Sequence, residues 1–69
     1  MATLDIDPNM TQPDEFYEAL IATHRDLTDA QSQMVNAKLI LLLANHVGDL
    51  AVLREAMQRA RAGVDVHPQ

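Results

Sequence analysis

The stretch Leu39-Ile40-Leu41-Leu42-Leu43-Ala44 is apolar without a break, and it runs directly into the polar, turn-forming cluster Asn45-His46-Val47-Gly48-Asp49. Six consecutive apolar positions on a helix point around most of its circumference, so such a helix has to be covered on more than one side. Gly48 offers the left-handed conformation that stops a helix, and Asp49 is a favoured N-cap for the next one. The sequence therefore asks for a long apolar helix, a sharp corner after it, and other structure to cover it.

The chain has little with which to provide that cover. At 69 residues it is one domain at most, and a domain of about 60 residues buries only about 60% of the surface its unfolded chain exposes. There are no cysteines and no zinc-like ligand array, so the usual staples of small domains are missing. Oligomerisation, a larger partner or close helix packing must make up the difference. Ten acidic against five basic residues give a net charge of −5, which argues against nucleic-acid binding, because phosphate backbones need clustered Lys and Arg. The start Met1-Ala2-Thr3-Leu4-Asp5 lacks the basic and apolar regions of a signal peptide, and the Leu39–Ala44 run is far short of a membrane span. A soluble, cytoplasmic protein is expected.

Helix signals organise the rest. Residues 1–10, with Asp5, Asp7 and Pro8, show no periodicity and read as a flexible acidic arm. Thr11-Gln12-Pro13-Asp14 offers a capping hydroxyl, a first-turn proline and early acids, predicting a first helix over 12–25 with Phe16, Leu20, Thr23 and Leu27 on one face. Thr28-Asp29-Ala30-Gln31 has the form of a capping box and starts a second helix over 29–47. Its apolar positions form two seams. One holds Val35, Leu39, Leu42 and His46; the other holds the smaller set Ala30, Met34, Ala37, Leu41 and Ala44. Two seams imply two neighbours, with Gln31, Lys38 and Asn45 as a polar line between them and Ile40, Leu43 and Val47 on the opposite side.

The third helix is predicted over 50–62, with Leu50, Leu53, Ala56, Met57, Ala60 and Val64 on its apolar face and Gly63 as its stop. The fold class is all-α: a small three-helix bundle, or a helical hairpin plus a third helix. Residues 11–63 form a single helical domain and 64–69 a loose tail. A core centred on the second helix implies that Leu39→Ala or Leu42→Ala costs ~2–5 kcal/mol, against near neutrality for Gln33→Ala. Charge is uneven along this chain: residues 1–29 hold seven acids and one base, whereas 30–69 hold four bases and three acids.

No catalytic constellation stands out, and the chain is read as a non-enzyme. There is no Cys, Ser32 is the single serine, and His46 with Asp49 is the best titratable pair, separated by the helix-stopping Gly48. Capping explains that pair better than metal or proton chemistry. No catalytic, cofactor-binding or metal-binding residue is assigned, and no cofactor is expected. Asn45, His46, Gly48 and Asp49 are the candidate partner-binding residues, since a fixed corner presents hydrogen-bonding groups beside an apolar patch. By its residues alone this is a small acidic helical protein. A homodimer, or an acidic inhibitor docking on a basic groove of an enzyme, are the other readings that its composition allows.

The segments Asp14-Glu15-Phe16-Tyr17-Glu18-Ala19-Leu20-Ile21 and Asn36-Ala37-Lys38 through Asp49 resemble a family of very short proteobacterial proteins known as domain of unknown function 2783. The resemblance spans residues 4–63, and Leu42-Leu43-Ala44-Asn45-His46-Val47-Gly48-Asp49 is its most specific block. Such proteins resemble the small coupling components of two-component phenolic hydroxylases. That implies an accessory subunit which binds an FAD-dependent aromatic-ring monooxygenase, the flavin and nicotinamide belonging to the partner.

Overall fold

A computed structural model describes residues 3–65 and contains three helices: α1, Pro13–His24; α2, Asp29–Val47; and α3, Leu50–Arg61. The described residues include no strand. The chain is all-α, as its patterning predicts, and each boundary lies within a residue of its expected position.

Local chemistry sets the ends of these helices. At the start of α2 the Thr28 hydroxyl accepts from the Gln31 backbone N–H at 3.2 Å, while the Gln31 side chain accepts from the Thr28 N–H at 3.0 Å. Both halves of the capping box are made. Gly48 closes α2 at φ 70°, its N–H donating to the Ala44 carbonyl at 2.9 Å. The Asp49 carboxylate accepts from the Val52 N–H at 3.1 Å and so opens α3. The start of α1 differs from expectation. Gln12, not Thr11, is its N-cap residue, and no side chain caps it. Pro13 accounts for the start, because its preset φ favours the first helical position and so makes Gln12 the N-cap.

Between α1 and α2 the chain turns within four residues. The Arg25 N–H donates to the Ala22 carbonyl and the Leu27 N–H to the His24 carbonyl, with Asp26 left-handed at φ 65°. A carboxamide or carboxylate side chain tolerates that region better than a branched one, and Asp26 is the one described non-glycine residue that occupies it. The arm from residue 3 to 10 is non-helical, with the Asp5 carboxylate accepting from the Asp7 N–H at 3.0 Å. Of the tail, Val64 and Asp65 are non-helical and exposed, and 66–69 lie outside the described residues, as do residues 1–2 of the arm.

Packing departs most from the sequence reading. No described residue is fully buried. The half-buried apolar side chains of the helices and their turn are Leu20, Leu27, Val35 and Leu39 in the hairpin, with Ala44, Val52, Leu53 and Ala56 around the α2–α3 corner. The arrangement is a helical hairpin plus a third helix and not a closed bundle. Its radius of gyration is 14.4 Å, against about 11 Å for a compact chain of this length.

The reason is length. At 1.5 Å per residue the twelve residues of α1 reach about 18 Å, whereas the nineteen of α2 reach about 28 Å. Val35, Leu39 and Leu42 share a groove with α1, but the continuation of the seam to His46 outruns it. Leu42 is 69% exposed and His46 is also exposed. On α3 the inward set is Val52, Leu53 and Ala56, while Leu50 and Met57, expected on the inner face, point to solvent.

The two leucines once grouped together therefore separate. In the isolated chain Leu39→Ala is expected to lower stability by about 1–2 kcal/mol, the share of a core truncation that half-burial leaves. Leu42→Ala should stay within ~0.5 kcal/mol of the parent, as surface changes do. Thermal unfolding followed by circular dichroism checks both, and equal losses for the pair would show that the seam is covered along its whole length.

Candidate partner-binding surface

The corner after α2 is built by the residues that the sequence singles out. Asn45 and His46 occupy the last turn of α2 and are exposed, Gly48 makes the bend, and Asp49 is half-buried. Asp49 is committed to the backbone of α3 through its bond to Val52, so it shapes the corner, while Asn45 and His46 present free polar groups to solvent. The expectation that His46 extends a buried seam is not met, for the reason of helix length given above. A side chain grafted on Gly48 meets nothing closer than the Asn45 carbonyl oxygen at 3.8 Å, an ordinary contact. Glycine is required there by φ alone.

Beside this polar corner lies an apolar surface that the sequence reading had assigned to a core. Ile40, Leu41, Leu42, Leu43, Val47 and Leu50 are all exposed. They surround the end of α2 because a continuous apolar run places side chains on every side, and neither α1 nor α3 is long enough to cover them all. The apolar and polar parts are therefore contiguous in the chain and share one end of the molecule.

A second feature lies along the hairpin. α1 and α2 diverge enough to leave an open groove of about 340 Å³, with Phe16 and Leu20 on one wall, Val35, Leu39 and Leu42 on the other, and Lys38 at the rim. The lining is almost wholly apolar. The sequence placed Phe16, Leu20, Val35, Leu39 and Leu42 on facing stripes correctly; what it missed is that the stripes face each other across a gap. Periodicity identifies the apolar side of a helix but carries no information on how closely another helix approaches it.

The described residues offer little for chemistry at either place. No group of three or more His, Cys, Asp or Glu side chains gathers where it could hold a metal ion. Arg59 is paired with Glu55 one turn earlier at 3.0 Å, an exposed pair that adds a small amount to α3. The Arg61 guanidinium donates forward to the Val64 carbonyl and helps to close the same helix. No helix among the described residues is long and apolar enough to cross a membrane.

Comparison with known proteins adds one match. The family described as "Protein of unknown function (DUF2783)" matches residues 4–62, nearly the whole chain, and the chain belongs to that family. No curated protein and no solved structure matches it.

The corner itself is open to test. Gly48→Ala should destabilise the chain by about 1 kcal/mol, because φ 70° costs a β-carbon roughly that much even where space is free. Gly48→Asn should cost less, since Asn enters the left-handed region more readily. Melting temperatures ordered Gly, Asn, Ala from high to low are the expected result.

Proposed function

Starting from membership of this family, we propose that the chain is a non-catalytic accessory subunit that works in the cytoplasm by binding a larger enzyme through its α2–α3 corner. One observation carries the reading: none of the described side chains is fully buried, yet the most apolar part of the sequence lies exposed next to a rigid polar corner. An exposed apolar patch rimmed by polar groups is the ordinary form of a protein-binding surface. Ile40, Leu42, Leu43 and Val47 would supply apolar area, and Asn45 and His46 the directional hydrogen bonds, on a loop held in place by Gly48 and Asp49.

The proposed partner is an FAD-dependent aromatic-ring hydroxylase. That choice rests on the likeness of this family's short proteins to small coupling components of phenolic hydroxylases, and the surface is of a kind that can serve the role. A coupling protein needs no nucleophile of its own. It has to bind two conformations of the flavoprotein unequally, because a ligand shifts an equilibrium only by its differential affinity for the two states. The partner holds the flavin, which supplies the oxygen chemistry when bound; the residues of this chain bind and orient.

The experiment is reconstitution with an FAD-dependent aromatic-ring hydroxylase from the same organism. Adding the chain should lower hydrogen peroxide released per NAD(P)H oxidised and raise hydroxylated product. His46→Ala combined with Asp49→Ala should weaken binding and reverse the gain. Circular dichroism of the double variant separates that effect from loss of the Asp49 cap, itself worth ~1 kcal/mol. Coupling that is the same with and without the chain overturns the function, whereas coupling that responds to the chain but not to the double variant moves the site elsewhere.

A further inference from the structure

The face of α2 turned away from α1 carries Ala30, Met34, Ala37, Leu41 and Ala44, spaced by four, three, four and three residues. None of these lines either depression between α1 and α2. Met34 is 61% and Leu41 70% exposed. The spacing is that of a coiled-coil seam, and along it large and small side chains alternate.

We propose that a second copy of this chain packs on this face, with the two α2 helices antiparallel about a two-fold axis passing between Val35 and Asn36. In that register Ala30 lies level with Leu41 of the second copy, and Met34 lies level with Ala37. These layers set a large side chain against a small one, which fills the space between two closely approaching helices, while Ala44 falls level with Leu27, outside α2 of the second copy, and is half-buried at the α2–α3 corner. Symmetry repeats each layer, so one patch is complementary to itself, as an isologous dimer requires.

Charge and orientation agree with this arrangement. Lys38 and Asp29 are the formal charges on α2. In the antiparallel register Lys38, in the polar line beside the seam, passes next to Gln31 of the second copy. A parallel pair would instead set Leu41 on Leu41 and alanine on alanine, combining voids and crowding. The antiparallel pair also places each helix N-terminus by the C-terminus of the other, where the dipoles attract.

A compact chain of 7.7 kDa exposes roughly 4,300 Å², whereas this one exposes 6557 Å². That excess of about 2,200 Å² is spread over the chain, and the exposed Ala30, Met34, Ala37 and Leu41 of the seam share in it. A stable interface needs about 800 Å² from each partner. The surface used lies on a different side of α2 from the α1–α2 groove, and the inference does not rest on the flavoprotein reading.

Sedimentation equilibrium of the full chain should give twice the 7.7 kDa chain mass, and Ala37→Glu should raise the dissociation constant about 100-fold or more by placing paired carboxylates in the seam. Circular dichroism confirms that the variant keeps its helices. The chain has no cysteine, so introduced thiols report register directly. Mixed Ala30→Cys and Leu41→Cys chains should crosslink to each other on mild oxidation, faster than Leu41→Cys chains crosslink among themselves. A monomer at millimolar concentration with full helicity, a dimer indifferent to Ala37→Glu, or preferential Leu41→Cys self-crosslinking would each overturn the proposal.

Discussion

Everything unusual in this structure follows from the mismatch between one nineteen-residue apolar helix and the two twelve-residue helices that flank it. A helix whose side chains are apolar around most of its circumference is stable in water only when other surfaces exclude solvent from it. α1 reaches about two thirds of the way along α2, and α3 leaves at the corner after meeting it around Ala44. The remaining surface of α2 is left for something outside the chain. Neither a longer loop nor a better cap alters that arithmetic, because the missing quantity is apolar area.

The parts of the fold that were legible in the sequence are those decided within a few residues. Thr28 and Gln31 satisfy each other across three positions, Gly48 adopts the left-handed conformation that its lack of a β-carbon permits, and Asp49 accepts from a backbone N–H three residues on. Each is local chemistry, and none depends on what the rest of the molecule does. Thr11 is not the cap for an equally local reason, since Pro13 takes the first helical position and so makes Gln12 the N-cap.

Burial was not legible in the same way. The 3.6-residue period correctly put Val35, Leu39 and Leu42 on one stripe, and the structure brings all three to one groove with Phe16 and Leu20. It could not tell that Leu39 would be half covered and Leu42 exposed, because that depends on how closely another helix approaches. The candidate site shows the same division. The corner formed where the sequence placed it, with Asp49 in its capping role, but His46 faces solvent because the seam that it extends has no neighbour at that level.

An uncovered apolar helix also changes what stability means for this chain. When the surface that would form a core is shared with another molecule, folding and association draw on the same interactions, and each reinforces the other through mass action. Small helical domains without disulfides or metals have few other ways to exceed the conformational entropy of ordering their backbone. The two faces identified on α2 divide this demand: the alternating large and small side chains of one suit an identical helix, while the groove and polar corner lie on other sides and stay open when the first is covered. A second copy can thus complete the fold without occupying the surface that a different protein would read, so self-association and accessory function are compatible in one helix of nineteen residues.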